Sequence, residues 1–453
     1  MDSKEQSTLK VVMFPWLAYG HISPFLELAK QLSRKSFQIY FCSTHINLIS
    51  IKDQISSDSA IQLVELPLPS LPDLPPHYHT TKNLPPHLMP TLKTALDMAQ
   101  PIFSHLLKTL NPDLLIYDFI QPWAPTVSSS LNIPAVHFFC AGAATFSFLL
   151  HTSEKPDLEF PFQTIHLHDH EEIKISKLIQ SYTNNIRGMD RLIQSMDRSW
   201  SFILIKTFRE IEAKYLDYSS YLVGKEFIPM GPLVQEPSDH VDDHFYMEWL
   251  KGKDRSSVVF VSFGSEYFLS KEEMEEMARG LELSGVDFIW VVRFPEGVHM
   301  SLHEALPQWF LDGEKGLVVE GWAPQAKILQ HSSVGGFVSH CGWSSVMEAM
   351  KFGVPIVAMP MHLDQPINAR LVVELGVGVE VKRSRGGDWK FEGEEMAKGI
   401  REVVAGKKGE EVKRRVEEMR EKINMGEKEM DAVAERLLQL CRNNRTKDFC
   451  SLN

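Results

Sequence analysis

The chain has 453 residues, 43% hydrophobic and 23% charged, which is ordinary globular composition and enough chain for two cores. A net charge of −12 argues against a nucleic-acid partner, and five cysteines without a CxxC pair suit a reducing cytosol rather than a disulfide framework. The polar opening MDSKEQSTLK leaves no room for a signal peptide and no apolar run reaches transmembrane length, so the expectation is a cytoplasmic monomer without a membrane span.

In chain order, Val11–Phe14 reads as a first buried strand, followed by a loop ending in Gly20 and an apolar-periodic helix through Leu32. His21 therefore lies at the carboxyl end of a strand, where open α/β sheets place ligands. A helix N-terminus disfavours imidazolium, so a neutral, proton-accepting histidine is physically sensible there. The run LPLPSLPDLPPHYHTTKNLPP is a long extended loop, read as a lid near this strand end. Leu114–Tyr117 is a second apolar strand that ends at Asp118. A carboxylate there can hydrogen-bond His21, fix its tautomer and stabilise its charged form. Trp16, Tyr19, Phe119, Gln121 and Trp123 flank this pair and are candidate acceptor-pocket residues.

Further along, His166, His168 and His170 alternate beside Asp169, Glu171 and Glu172. On a strand, alternation would set three imidazoles on one face, a conceivable metal site; an exposed variable loop is the favoured reading, and no metal is expected. The polar, acidic stretch GPLVQEPSDHVDDH reads as a linker, giving a first domain over 1–235, a linker over 236–250 and a second domain over 251–430. The apolar run VVFVSF opens the second domain, and Ser270 with Glu273 announces its first helix as a capping box. The charged stretch from Glu392 to Asn424 reads as solvated helix faces. Strand and helix patterns alternate in both halves, which predicts an α/β fold with doubly wound sheets.

The most informative segment runs from Trp322 to Gln365, WAPQAKILQHSSVGGFVSHCGWSSVMEAMKFGVPIVAMPMHLDQ. Gly335–His340 reads as a buried parallel strand, Cys341–Gly342 as a turn, and Trp343–Phe352 as a helix stopped by Gly353-Val354-Pro355. A strand entering a helix through a glycine turn presents backbone N–H groups and partial positive charge, a natural phosphate site. His340, Ser344 and Ser345 can add side-chain donors. Glu348 lies one turn beyond Ser344 and can accept from both hydroxyls of a ribose. The next strand, Ile356–Met359, ends before His362–Gln365, where Asp364 and Gln365 suit adjacent sugar hydroxyls. Together these groups fit a nucleotide-sugar. A dinucleotide oxidoreductase is disfavoured, because no GxGxxG follows a strand.

This segment resembles the signature box of plant secondary-metabolite UDP-glycosyltransferases, in pattern and in length. The likeness extends from KVVMFPWLAYGHISPFLELAKQL to the charged C-terminal helices. The resemblance implies the GT-B fold, two Rossmann-like domains facing across a cleft, with the last helix, about 431–453, packing back on the first domain. It implies that Trp322 stacks on uracil with Ala323 and Gln325 beside the base, and that Glu348 holds the ribose. His340, Ser345 and the backbone near Gly342 would hold the diphosphate with Ser265, while Trp343, Asp364 and Gln365 contact the transferred sugar. Gln365 at the last box position resembles glucose users. GHxxP and IYD align His21 and Asp118 with the family's base and its orienting acid.

Two positions depart from the pattern. The family usually reads HCGWNS, whereas this chain reads HCGWSS, so Ser344 stands where an asparagine helps to bind phosphate. Losing such a donor can cost roughly 10²–10³ in rate at worst, limited here by Ser345 and the helix terminus. Cys140 in HFFCAGAA lies where relatives often carry Ser or Thr near the sugar. The resemblance further implies an inverting transfer from UDP-glucose, with no cofactor or metal. The segments HLMPTLKTALDMAQ and SFGSEYFLSKEEMEEMARGLE look like those of branch-forming enzymes that add glucose to sugars on triterpenoid or flavonoid glycosides. The expected acceptor is thus a glycoside, triterpenoid first, through a 1→6 or 1→2 linkage. Direct glucosylation of an aglycone, or UDP-sugar binding with little turnover, are the alternatives.

Overall fold

The computed structural model describes residues 8–56, 59–237, 244–295, 298, 300–384, 389–425 and 429–451. It divides into two compact units: unit 1 holds the described residues of Met1–Pro156, Lys177–Leu233 and Gly426–Asn453, and unit 2 those of Asp157–Ser176 and Val234–Met425.

Unit 1 contains the strands β1 (Leu9–Phe14), β2 (Phe37–Ser43), β3 (Ile61–Glu65), β4 (Leu114–Tyr117) and β5 (Ala135–Phe139), a short hairpin β6 (Tyr182–Thr183) and β7 (Ile186–Arg187), then β8 (Phe202–Ile205) and β9 (Glu226–Pro229). Seven of these form one parallel sheet in the order β3-β2-β1-β4-β5-β8-β9. β4 and β8 are buried along their whole length, as strands covered on both faces must be. Side chains alternate between two apolar layers: Val11 and Met13 join Ile39, Phe41, Ile116 and Phe138 on one side. Val12 and Phe14 join Leu115, Tyr117 and Phe103 on the other. The helix Glu429–Ser451 adds Met430, Val433, Leu437 and Cys441 to the first of these layers. The proline-rich run folds into two short 3₁₀ turns, Pro76–Tyr78 and Pro86–Leu88. It is tied to the loop after β1 by Thr81 N–H donating to the Leu17 carbonyl at 2.9 Å.

Unit 2 carries β10 (Val258–Ser262), β11 (Asp287–Val292), β12 (Gly316–Glu320), β13 (Val334–Ser339), β14 (Ile356–Ala358) and β15 (Gly378–Glu380), all parallel in the order β12-β11-β10-β13-β14-β15. The capping box forms: the Ser270 hydroxyl accepts from Glu273 N–H while the Glu273 carboxylate accepts from Ser270 N–H, opening the helix Lys271–Ser284.

Two boundaries differ from the sequence-based expectation. The linker assigned to 236–250 falls partly on 238–243, outside the described residues, and from His244 the chain is already the helix His244–Lys251 of unit 2. The stretch 157–176, expected in the first domain, belongs to unit 2. Its fastening is a buried ion pair, Glu171 Oε2 to Arg370 Nη2 at 2.7 Å, with Glu380 on the other guanidinium nitrogen. The alternating histidines form no strand face either: His170 lies in the helix Asp169–Gln180, and its ring stacks on Trp389 at 4.6 Å.

Candidate active site

Each sheet has one place where the strand order reverses, between β1 and β4 in unit 1 and between β10 and β13 in unit 2. Crossovers leave in opposite directions there, so the strand ends open into a crevice. The chemistry-bearing residues follow these strands.

In unit 1, Val11–Phe14 pairs in register with Leu114–Tyr117, which brings the ends of β1 and β4 side by side. His21 stands in the first turn of the helix Tyr19–Ser33, and Asp118 follows β4 directly. Their side chains meet at 2.7 Å, His21 Nδ1 to Asp118 Oδ2. Asp118 is 0% exposed. Its carboxylate also accepts from Trp16 N–H at 3.1 Å and from Phe119 N–H at 2.7 Å. Burial alone would raise its pKa, but the His21 charge, the His21 hydrogen bond and the two backbone donors hold the carboxyl below its ordinary value. Asp118 therefore stays ionised beside a histidine that retains 23% side-chain exposure, the arrangement needed to orient a base and stabilise its protonated form.

The five acceptor candidates separate by environment. Tyr19 and Phe119 are partly exposed, and the Phe119 ring lies 5.8 Å from that of His21. The other three are buried. Trp123 packs edge-on against Phe103 and donates its indole N–H to Asp97 at 2.9 Å, so it is a core residue. Gln121 is fully buried and donates to the Phe14 carbonyl at 2.8 Å, bracing the end of β1. Trp16 is buried in the same apolar layer and serves the site through its backbone N–H.

In unit 2, β10 ends before Ser265, β13 before His340, and β14 before the turn carrying His362 and Asp364. The His340 ring is gripped between two glycines. A Cβ on Gly264 (φ +74°) would lie 2.5 Å from His340 Nε2, and one on Gly342 would lie 2.6 Å from it. Only glycine permits this approach, and at Gly264 only glycine adopts the backbone without strain. Burial, followed by the charge of His362, lowers the His340 pKa to about 3, so it acts as a neutral imidazole. Gly342 is also the N-cap of the helix Trp343–Phe352, where it has no side chain to occupy the N–H groups of the first turn. Those groups are available to an anion.

Beside this terminus, Gln325 Nε2 donates to Glu348 Oε2 at 2.7 Å and to Ser345 Oγ at 3.1 Å. Three residues assigned separately to base, ribose and phosphate thus form one connected group. Trp322 exposes 51% of its surface and Ala323 is buried next to it, so the indole offers a stacking face. Trp343 is buried, while Ser344 is partly exposed on the helix's first turn. In the turn after β14, Asp364 directly precedes the helix Gln365–Leu375 without a side-chain cap hydrogen bond. Gln365 is placed differently from the sequence expectation. Its carbonyl oxygen accepts from Met361 N–H and His362 N–H, both at 3.0 Å, and the side chain is buried.

Three residues escaped sequence reasoning. Asn368 is fully buried and donates from Nδ2 to the Cys341 carbonyl at 3.0 Å and to Asp364 Oδ2 at 2.9 Å, locking the turns after β13 and β14 together. Both turns contain a non-glycine residue at positive φ, Cys341 at 63° and Leu363 at 57°. Such strain persists where surrounding structure enforces it, and Asn368 supplies part of that constraint. Arg293, after β11, donates from Nη1 to the Gly264 carbonyl at 2.9 Å. His362 stacks on Tyr267 at 5.4 Å, and burial followed by the Lys174 charge lowers its pKa to about 4. A bonding register one helical turn on from Asp364 was the only sequence signal for Asn368; none pointed to Arg293.

Residues 235–413 match the model of UDP-glucoronosyl and UDP-glucosyl transferase, and residues 7–235 that of the glycosyltransferase N-terminal domain. A mogroside IIIx synthase of Siraitia grosvenorii is 54% identical over 96% of this chain and 98% of its own. A beta-D-glucosyl crocetin beta-1,6-glucosyltransferase of Gardenia jasminoides is 50% identical over 94% and 98%. The crystal structure of Glycyrrhiza uralensis UGT73P12 complexed with glycyrrhetinic acid 3-O-monoglucuronide shares the fold, with a TM-score of 0.81 at 24% identity over 98% of this chain and 99% of that one. Among the described residues no helix is long and apolar enough to cross a membrane. The chain belongs to the family of UDP-glucosyl and UDP-glucuronosyl transferases, and its fold is GT-B.

Proposed function

We propose that this enzyme transfers glucose from UDP-glucose, with inversion, onto a sugar hydroxyl of a plant glycoside, a triterpenoid glycoside first, through a 1→6 or 1→2 linkage. The observation that carries the chemistry is the 2.7 Å pair of His21 with the ionised, buried Asp118. A sugar hydroxyl is far too weak an acid to attack as an alkoxide near neutrality. His21 removes its proton as the new bond forms, an effect typically worth 10²–10⁴-fold. Asp118 holds the ring in one tautomer and stabilises the imidazolium. The oxygen attacks the anomeric carbon in line with departing UDP, so an α donor gives a β product without a covalent enzyme intermediate.

In this reading Trp322, Ala323 and Gln325 hold the base, Glu348 the ribose, and Asp364 with Gln365 the sugar. His340, Ser265, Ser344, Ser345 and the helix terminus meet charge on the diphosphate, and these donors do the work without a metal. The enzyme acts as a cytoplasmic monomer. The acceptor class rests on the Siraitia and Gardenia relatives, one named for a mogroside and the other for a glucosyl crocetin.

The test pairs each of several aglycones with its monoglucoside, supplies UDP-glucose, and reads products by mass spectrometry against a His21→Ala control. A His21-dependent gain of one hexose on the glucosides alone supports sugar-chain extension. Transfer only to free aglycones overturns it in favour of a first-sugar transferase. UDP-glucose binding without transfer to any acceptor overturns catalysis itself.

A further inference from the structure

Cys140 follows β5 directly, next to the β1–β4 pair that presents the dyad. One ligand atom each from His21, Asp118 and Cys140 lie within 4.8 Å of one another. Cys140 and Asp118 are buried, and His21 is partly exposed. The set combines an imidazole nitrogen, a carboxylate oxygen and a thiol sulfur. That is a three-ligand set for a tetrahedral d¹⁰ cation, with the fourth position left for water. Zinc–ligand bonds of about 2.0–2.3 Å set ligand atoms about 3.3–3.7 Å apart, so the imidazole nitrogen and the carboxylate, now at 2.7 Å, open by roughly half an ångström while the thiol closes on them. The partial exposure of His21 provides a route of entry.

We propose that a thiophilic divalent cation, Zn²⁺ or Cd²⁺, binds between His21, Asp118 and Cys140 and switches the transferase off. The inference rests on His21 being the base. Without a cation the thiol stays protonated: burial and then the Asp118 charge push it well above its usual range, while Lys206 acts the other way. Binding exchanges that thiol proton for a metal–sulfur bond and releases the proton to solvent. The same cation takes the place of the proton between His21 and Asp118. The imidazole then loses the partner that orients it, and its lone pair or its geometry is no longer available to the acceptor hydroxyl. The elements that form the catalytic pair thus also form its inhibitory site.

The experiment has two independent readouts. In the transfer assay, micromolar free Zn²⁺ is expected to lower the wild-type rate at least tenfold, with full recovery on adding EDTA. Cys140→Ser, measured against its own metal-free rate, is expected to need at least tenfold more Zn²⁺. Cd²⁺ titration followed by ultraviolet thiolate-to-metal absorption reads the site without turnover. Wild type should gain one saturable step that Cys140→Ser lacks, and the difference between the two removes any signal from the other cysteines. Circular dichroism and a thermal unfolding midpoint close to that of wild type show that the variant is folded. Unchanged Zn²⁺ sensitivity in Cys140→Ser, or identical Cd²⁺ titrations, overturns the proposal. Loss of the Cd²⁺ step alongside a fully active His21→Ala enzyme would instead overturn the assignment of the base and leave the cation site standing.

Discussion

Glu171 and Arg370 stand 199 residues apart in the chain and meet as a buried ion pair at 2.7 Å, each only 5% exposed. Arg370 lies on the helix that begins with Gln365. Removing one partner of a buried pair leaves an uncompensated charge, at a cost of about 3–5 kcal/mol, reduced here because Glu380 also bonds the guanidinium. Glu171→Ala is expected to lose about 2 kcal/mol or more by thermal unfolding and to raise KM for UDP-glucose more than it lowers kcat. Wild-type stability in the variant would show that this fastening is dispensable.

Glu380 is the pH-sensitive member of that group. Burial raises its pKa to about 7 against the opposing charge of Arg370. A carboxyl with a raised folded-state pKa gives stability that is complete below its ordinary value near 4.5 and lost as pH rises through about 7. The melting temperature of Glu380→Gln relative to wild type should therefore be higher at pH 8 than at pH 5. A difference that does not vary with pH would refute the assignment.

His137 behaves with the opposite sign. It is fully buried on β5, neither ring nitrogen has a hydrogen-bond partner among the described residues, and burial lowers its pKa to about 4. The unfolded chain takes up a proton first as pH falls below 6.5, so stability declines from there down through about 4. His137→Phe removes this liability. Its stability gain over wild type should be about 1 kcal/mol larger at pH 5.5 than at pH 7.5, measured by denaturant unfolding.

Arg293 places a guanidinium against the Gly264 carbonyl, one residue before Ser265. Arg293→Met should weaken UDP binding at least tenfold while leaving uridine binding within about twofold, since only the diphosphate responds to the charge and to the loop it holds. Arg293→Lys should recover part of the loss. Equal weakening of both ligands by calorimetry would reduce Arg293 to a packing role.

Asp118→Asn keeps the shape of the pair but cannot stabilise the imidazolium, and it changes the tautomer His21 must adopt. A fall in kcat of roughly 10³–10⁴ is expected with UDP affinity unchanged, by analogy with orienting carboxylates in other histidine-based sites.

The strand ends that carry His21 and Asp118 and the helix after Gly342 were legible because local signals agreed, whereas the pairing of the two side chains was implied by the family resemblance. Apolar runs ended at polar residues, a glycine turn fed a periodic helix, and Ser270 with Glu273 satisfied the capping pattern that then formed. The burial of Gln121 and Trp123 was not legible, because a short irregular stretch after a strand has no periodicity to say which side chains turn inward. The unit 2 membership of 157–176 was invisible because the anchoring charges of Glu171 have their partner on a helix far along the chain. Arg293 likewise acts through the backbone carbonyl of another loop, and a carbonyl leaves no mark in sequence.

The chain enters each unit more than once, and this bears on how new specificities can be assembled from relatives. A hybrid joined only near residue 235 would inherit 157–176 from one parent and the Arg370 and Trp389 it grips from the other, and it would separate the Glu429–Ser451 helix from the apolar layer it completes. Hybrids that exchange 157–176 together with the second half, and keep 429–451 with the first, preserve both sets of native contacts. Recombination within this fold thus follows three-dimensional neighbourhoods, and the single cut suggested by reading the sequence from left to right is the wrong one.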